Sequence, residues 1–202
     1  MRSLLVLTFV GLAFVGSCSI AAAQESCDEQ FVVSQVNLPT TTPLPPREQA
    51  AIRARLTGNC FDGQQVGELA DQVRDTLQTL GYFRAIVSEP TITIVDGSRH
   101  PQPVSLKVEF AEGARHRVRE IVWSGMNALT ADQLFALSLI RPGDILDTGK
   151  VRETLETVRR LYVAVGYPKA SIVSEIEGAE DVRQHRHLMR VRFNVVEGSP
   201  SP

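Results

Sequence analysis

Few side chains in this sequence have the types and spacing that chemistry requires. The nearest to a metal-binding pair is His185-Arg186-His187, which places two imidazoles on one face of an extended segment. No cysteine or carboxylate joins them at a spacing typical of zinc sites, so a solvated turn before the last strand is the stronger interpretation. There is no glycine-rich phosphate loop, no nucleophile elbow and no motif that places paired carboxylates. The sequence therefore predicts no catalytic residue, no metal site, no cofactor and no enzymatic activity, with an unrecognised hydrolase as the least favoured alternative.

Three cysteines are the other reactive side chains. Cys18 lies in a leader, residues 1–23, in which one charge, an apolar run and small residues ending in alanine are typical of a secretory signal peptide. Two processing routes stay open: ordinary cleavage after Ala23, or cleavage before Cys18 with lipidation of that cysteine, because Val15-Gly16-Ser17-Cys18 resembles a lipoprotein motif. Either route leaves Cys27 and Cys60 as an even pair. Export permits a disulfide between them, and the alternative is two buried thiols.

The charge balance excludes one class of partner. The chain has 21 Lys and Arg residues against 23 Asp and Glu, a net charge of −2, so no basic excess points to nucleic acid. Locally basic stretches do occur, and either form the wet side of a sheet or face lipid headgroups or an acidic partner. They comprise Arg183, His185, His187, Arg190 and Arg192, together with Arg115, Arg117 and Arg119.

The chain is a tandem duplication with an offset of 85 residues. Gly81-Tyr82 matches Gly166-Tyr167 at this offset, and Glu112-Gly113 matches Glu197-Gly198. A fixed period over a whole unit identifies the repeat before any secondary structure is assigned. We therefore predict a signal peptide (1–23), two domains (24–113 and 114–198) and a short tail (199–202).

Each copy has the pattern of a strand, two helices and two further strands. Pro45-Pro46 marks a helix start in copy one, and Thr130-x-x-Gln133 forms a capping box in copy two. Gly58 and Gly143 are expected to end the first helices, with Ile140 on the second copy's helical face. The second helices carry apolar stripes and should end at the Gly-Tyr pairs. The predicted fold is α+β, with two helices on one face of a three-stranded mixed sheet in each copy.

The last two strands of each copy are also predicted. The second strand should span residues 84–88 and 169–177, each followed by a polar turn region. The last strand of copy two alternates, with Met189, Val191, Phe193 and Val195 on the buried face. We expect Trp123, Tyr82 and Tyr167 to serve in packing rather than in binding.

These ordered motifs resemble the POTRA domain, the polypeptide-transport-associated module. The resemblance covers nearly all of the sequence after the leader and is best in copy two. There it follows Gly143-Asp144-Ile145-Leu146-Asp147, Leu161-Tyr162, Gly166-Tyr167-Pro168-Lys169-Ala170 and Val195-Val196-Glu197-Gly198, in that order.

The resemblance implies a location and a class of partner. Similar arrays lie in the periplasm before an outer-membrane β-barrel, in the insertase that assembles barrel proteins and in two-partner secretion transporters. The implied partners are an outer-membrane β-barrel protein or unfolded envelope polypeptides, with membrane contact only through a partner or a lipid anchor. Only a four-residue tail follows Gly198, so we expect no barrel within this chain. A structural envelope or division adaptor is the alternative, and it would keep an uncleaved N-terminal anchor.

The resemblance also implies where a partner binds. The second strand of each unit is the outer strand, to which an extended peptide can add by backbone hydrogen bonds. The predicted edge residues are Ala170, Ser171, Ile172, Val173 and Ser174 in copy two and Arg84, Ala85, Ile86 and Val87 in copy one. Pro90 should shorten the edge in copy one. The alternative is a blunted edge guarded by Glu175 and Glu177.

Overall fold

The computed structural model describes residues 31–181 and 186–200. The predicted leader, Cys18, Cys27, Arg183 and His185 lie outside these residues, so the signal peptide, the lipidation and the disulfide stay predictions. The first half of the described chain contains β1 (Phe31–Asn37), α1 (Pro46–Leu56), α2 (Gly63–Thr79), β2 (Ile86–Val87), β3 (Thr91–Ile94), β4 (Gln102–Lys107) and β5 (Phe110–Ala111). The second half contains β6 (Arg117–Ser124), α3 (Ala131–Leu137), α4 (Thr148–Ala164), β7 (Ser171–Asp181) and β8 (Arg186–Val196).

Two three-stranded mixed sheets form the frame of the molecule. Their orders are β1-β4-β3 and β6-β8-β7, and β2 pairs with β5 as a separate two-stranded sheet. In each three-stranded sheet the opening strand is parallel to the central one, and the outer strand is antiparallel to it. Two hydrophobic clusters accompany the sheets, one in each half of the chain. The predicted α+β fold is confirmed.

The helix boundaries follow the local sequence closely. Thr130 and Gln133 form the reciprocal capping box at the start of α3, and Pro45 is the N-cap of α1. After α2 and α4, Gly81 and Gly166 adopt φ values of +96° and +92°. The next residue in each copy donates its backbone N–H to a carbonyl five residues earlier, at 2.9 and 2.8 Å. These are Schellman caps, so the prediction that the Gly-Tyr pairs end the second helices is confirmed.

The predicted end of the first helix in copy two is wrong. α3 stops at Leu137, and Ile140 is buried in the loop beyond it. The cause is tertiary: the N–H of Leu139 bonds at 3.0 Å to the Thr154 hydroxyl on α4, instead of continuing the helix. Gly143, at φ +93°, does not cap α3; its N–H donates to Val118 of β6 at 2.7 Å.

The last two strands of copy one are each broken in two; the sequence predicted a shortened edge at Pro90 but not the break in the last strand. Residues 84–88 form a strand only at Ile86–Val87, which pairs with Phe110–Ala111. Pro90 then interrupts the ladder because proline has no N–H to donate. Pairing resumes at Thr91, opposite Lys107, so the chain expected to be a polar turn contains β3.

The last strand of copy two follows the alternation of buried and exposed side chains that the sequence predicts. Met189, Val191, Phe193 and Val195 are all buried, and Arg190, Arg192 and Asn194 between them are half-exposed. Trp123 of β6 stacks on Phe193 with 4.3 Å between ring centroids, so it is a core residue.

Across the described residues, no helix combines the length and apolarity needed to cross a bilayer.

Candidate functional site

β7 is the outer strand of the second sheet. All eleven of its residues pair with β8, and β8 has β6 on its other side. The opposite edge of the sheet is partly covered, because Val118 of β6 exchanges backbone hydrogen bonds of 2.9 and 2.7 Å with Asp144 and Gly143. Alternate N–H and C=O groups of an edge strand point away from the sheet. β7 thus presents a row of backbone groups that an added strand can bind.

The edge begins one residue later than the sequence pattern indicated. Ala170, predicted as its first residue, precedes β7 and is only 5% exposed, because it packs in the second core. Ser171 is exposed, and Val173 has 55% of its surface exposed. Ile172 and Ile176 point the other way and pack on the core. The strand also continues to Asp181, beyond the predicted end at Glu177.

The corresponding edge of copy one differs more from the prediction. Arg84 and Ala85 precede β2, and Ala85 is buried in the first core. Ile86 is 70% exposed, whereas Val87 points into the core. The outer strand of the main sheet is β3, whose four residues are all exposed. Its Thr-Ile-Thr-Ile run of β-branched residues is the signal that would have located it.

Glu177 of β7 is paired with cations of the neighbouring strand. Glu177 lies 3.7 and 3.8 Å from the guanidinium groups of Arg190 and Arg192, and Arg190 also pairs with Glu120. This arrangement agrees with the wet-side-of-a-sheet interpretation of this basic stretch. Glu177 faces these neighbours on its own sheet, whereas Glu175 has no ion pair among the described residues.

Part of the His185-Arg186-His187 motif lies in a strand, not in the turn that was predicted. Arg186 and His187 belong to β8 rather than to a turn, and His185 lies outside the described residues. The ring of His187 meets that of His116, with 5.6 Å between centroids. His116 is 3% exposed, and its Nδ1 has no hydrogen-bond partner. Within residues 31–181 and 186–200, no three His, Cys, Asp or Glu side chains are grouped to hold a metal ion.

His116 marks a junction between the two halves, which the sequence did not reveal. Its backbone N–H donates to Gly81 at 2.8 Å, and its ring contacts that of Phe83 at 6.4 Å between centroids. The Nε of Arg115 donates to the carbonyl of Leu80 at 2.8 Å. A Cβ atom built on Gly81 would lie 2.5 Å from Cγ2 of Ile145. The end of α2 is therefore packed directly against the second half of the chain.

The surroundings of His116 at this junction disfavour a positive charge on its ring. Burial lowers the pKa of His116, and the nearby charges of His187 and Arg84 act in the same direction. The carbonyl groups of Gly81 and Ala114 oppose the shift. Arg84, predicted as an edge residue of copy one, instead reaches β7, where its Nη2 would lie 2.9 Å from a Cβ on Gly178.

A family model and solved structures of other proteins show which fold this chain has. Residues 116–198 match the POTRA family model, described as a surface antigen variable number repeat. The fold matches POTRA domains 3–5 of Haemophilus influenzae BamA with a TM-score of 0.63 at 16% identity, over 84% of this chain and 67% of that one. The chain therefore has the fold of POTRA domains, in two tandem copies.

A second solved structure supports the same fold for the POTRA pair. Haemophilus ducreyi BamA lacking POTRA domains 1–3 matches with a TM-score of 0.63 at 16% identity, over 82% of this chain. Our chain spans only 29% of that structure, so the likeness concerns a part of it. No curated protein sequence matches this chain.

The Glu-Gly pair of the second POTRA domain has a role beyond ending a strand. Oε1 of Glu197 accepts hydrogen bonds from the backbone N–H groups of Asn127 and Ala128, at 2.6 and 2.8 Å. These two bonds are the main cause of a lowered pKa for Glu197. The carboxylate thus holds the loop between β6 and α3 against the end of β8. The sequence pattern located the residue but gave no sign of its partners.

Proposed function

We propose that this protein is a non-enzymatic periplasmic module that binds polypeptide by strand addition to β7, in outer-membrane protein assembly or secretion. Its partner is an outer-membrane β-barrel protein or an unfolded envelope polypeptide. The observation that carries the proposal is the edge position of β7, with exposed residues at Ser171 and Val173. Backbone pairing tolerates many sequences, which suits a receiver of varied clients.

The geometry of β7 favours strand addition over binding in a cleft. The strand is eleven residues long without a proline, and it is paired along its whole length, so its backbone is held in the extended form that a partner needs. In the first domain, β2 and β3 are two and four residues long and are separated by Pro90. A continuous added strand therefore has more backbone groups to bind on β7 than on the first domain.

Export and the site of action form part of the proposal. A leader with a cleavable small-residue site and a POTRA pair together support a periplasmic, outer-membrane-associated protein. The mass of the mature N-terminus tests this directly. Cleavage after Ala23 gives a chain that begins at Gln24, lipidation gives an acylated Cys18, and an uncleaved leader would favour the division-adaptor alternative.

Strand addition can be tested with a seven-residue peptide of alternating Val and Thr, capped at both ends. We expect it to perturb the backbone amide resonances of Ser171 to Glu177 in the full mature protein. Perturbations confined to α4 or to the first domain would contradict the proposal, and so would the absence of binding at millimolar peptide.

Proline substitutions provide a matched control for that experiment. Neighbouring N–H groups of a strand point in opposite directions, so one of Ile172→Pro and Val173→Pro removes a bond to β8 and the other removes a group of the free edge. We expect the variant that keeps the wild-type unfolding temperature to lose peptide binding. If that variant binds the peptide as well as the wild type does, the edge is not the binding surface.

A further inference from the structure

A groove in the first domain is lined by residues of both its helices. It has a volume of about 590 Å³, and Pro45 and Glu48 line it from the start of α1. The rest of its lining comes from α2 and its C-cap, at positions 68, 71, 72, 75, 76, 79 and 80. These positions recur at intervals of three and four residues, so they form a single stripe about 18 Å long. The groove is thus a surface separate from the β7 edge.

The charged side chains that line the groove are all carboxylates. No lysine or arginine belongs to the lining within the described residues. Asp71 binds Arg74 on the same helix, and the other three carboxylates have no ion pair in the part of the chain that the structure describes. The four are Glu48, Glu68, Asp71 and Asp75. Negative charge is therefore concentrated here, in a chain whose net charge is only −2.

Other polar groups of the groove also act as hydrogen-bond acceptors. The Thr76 hydroxyl donates to the carbonyl of Gln72 at 2.9 Å, and the Thr79 hydroxyl donates to the carbonyl of Thr76 at 2.7 Å. Because each hydroxyl has one proton, both can only accept from a partner. Oε1 of Gln72 is buried and has no hydrogen-bond partner among the described residues. A buried acceptor without a donor costs free energy, so a partner that supplies donors would be stabilised here.

The groove also has apolar surface. Pro45 and Leu80 belong to its lining and are half-buried. A partner that carried only charge would leave these side chains against water, whereas apolar side chains beside its cations would cover them. The partner that fits is therefore both basic and amphipathic.

A helix fits this groove better than an extended segment does. The backbone groups of α1 and α2 bond within their own helices, so an extended chain would find no free ladder to join. A helix satisfies its own backbone, and its side chains recur at the same intervals as the α2 stripe. Cations spaced three and four residues apart on such a helix would face Glu68, Asp71 and Asp75 in turn.

Other occupants match this groove less well. Residues 24–30, which lead into β1, contain three carboxylates and no lysine or arginine, so they would be repelled. Anionic lipid headgroups and nucleic acid would be repelled in the same way. A second copy of this chain, whose α4 contains arginines, is the other protein that could bind, and self-association of the wild type would reveal it.

We propose that this groove docks a basic amphipathic helix of a partner protein, whose lysines or arginines pair with the carboxylates of α1 and α2. This second surface does not depend on strand addition at β7. It recognises a helix by its pattern of charge, whereas β7 binds extended chains of many sequences. The two surfaces belong to different domains, so occupation of one leaves the other free.

Three stapled helical peptides test the pattern of charge. The first has three lysines on one face, spaced four and three residues apart, with leucines beside them. The second has the same composition with its lysines distributed around the helix, and the third has glutamate in place of lysine. We expect the first to bind the full mature protein about tenfold more tightly than the second, and the third not to bind. Equal binding of the first two, or no binding of any, would overturn the inference.

Variants with neutral side chains locate the contact. The double variant Glu68→Gln with Asp75→Asn should bind the first peptide about five- to tenfold more weakly. Glu153→Gln with Glu156→Gln is the matched control, since both residues are exposed on α4 and neither lines the groove. Glu68 and Asp75 are exposed as well, so both double variants should keep the unfolding temperature of the wild type. Equal weakening by the two would show a general effect of charge and would contradict docking in the groove.

An exchange of charge tests direct pairing. The variant Glu68→Lys with Asp75→Lys should bind the glutamate peptide and lose the lysine peptide. If this variant is folded and binds neither peptide, the carboxylates do not pair with the partner's cations and the inference is wrong.

NMR and sedimentation identify the surface and its occupant. The first peptide should shift the backbone amides of residues 68–80 and leave those of Ser171 to Glu177 unchanged. Shifts confined to β7 would contradict the inference. Self-association of the wild type that is lost in Glu68→Gln with Asp75→Asn would make a second copy the occupant and would overturn it. If the Val-Thr peptide fails to bind β7 while the lysine peptide still shifts residues 68–80, the proposed function fails and this inference stands.

Discussion

The hydroxyl group of Tyr162 donates to Oε1 of Glu197 at 3.1 Å and so joins α4 to the residue that follows β8. Burial is the main cause that raises the pKa of the Tyr162 phenol, so it stays protonated and remains a donor. The positions 85 residues earlier are Leu77, which is buried in the first core, and Glu112. The second domain therefore has a polar contact between helix and strand end where the first has an apolar side chain.

Removal of the Tyr162 hydroxyl should destabilise the second domain. Tyr162→Phe loses the hydrogen bond to Glu197, so we expect the free energy of unfolding to decrease in that variant. Urea denaturation followed by the fluorescence of Trp123 measures this, because the chain's one tryptophan lies in the second core. Tyr167→Phe is the control, since its hydroxyl has no hydrogen-bond partner in the described residues. Equal losses in the two variants would contradict the role given to Glu197.

Stability should also depend on acid through Glu197. Its pKa is lowered in the folded protein, so its contribution is fully present above the ordinary carboxyl pKa of 4.5 and is lost as pH falls through the folded value. We expect the urea midpoint to decrease below about pH 4.5 and to decrease less steeply in Glu197→Gln. An unchanged acid slope in that variant would show that the N–H groups of Asn127 and Ala128 do not stabilise the charge.

Two equivalent glycines should respond differently to alanine. Gly81 and Gly166 share a left-handed backbone, which costs a side chain about 1–2 kcal/mol. Around Gly166 nothing lies within 4 Å of an added Cβ, whereas at Gly81 it would meet Ile145 at 2.5 Å and Arg115 at 3.1 Å. We expect Gly81→Ala to cost more than Gly166→Ala in thermal unfolding, and residual dipolar couplings to show an altered angle between the domains. Equal costs with an unchanged angle would contradict the packing of this junction.

The domain junction should weaken in mild acid. His116 has a lowered pKa, so its neutral form contributes fully above the ordinary value of 6.5, and the contribution is lost as pH falls through the folded value. His187 and Arg84 face the ring and add to the cost of a positive charge there. An NMR titration should give a midpoint below 6.5 for His116, with amide shifts of Gly81 following the same curve. A midpoint at or above 6.5 would contradict the effect of burial.

The sequence was most informative where local chemistry determines the structure. Gly81 and Gly166 were predicted as helix caps, and both have positive φ angles. The alternation along β8 was predicted because one face of that strand is buried and the other is wet. Such features depend on neighbouring residues alone, so they can be read from one chain.

Features that depend on distant residues were missed. The helical spacing of Ile140 fits α3, but Thr154 of α4 takes the N–H of Leu139 and ends the helix. β3 alternates Thr and Ile in sequence, but all four of its residues are exposed and it lies where a polar turn was expected, so it was missed. His116 gave no signal at all, because its burial results from contact with Phe83 of the other domain. Which strand lies at the edge likewise depends on the order of strands, and that order was supplied by the family resemblance.

The packing of Gly81 also bears on how the two copies diverge. At position 166 an added Cβ meets no neighbour within 4 Å, and asparagine tolerates the left-handed backbone found there. At position 81 any added Cβ would displace Ile145, so a side chain there is costly. We therefore expect docking after duplication to constrain the residue at one copy of this corner and to leave the other copy open to substitution. In descendants of this gene, substitutions should spare the corner between the domains and accumulate at its twin.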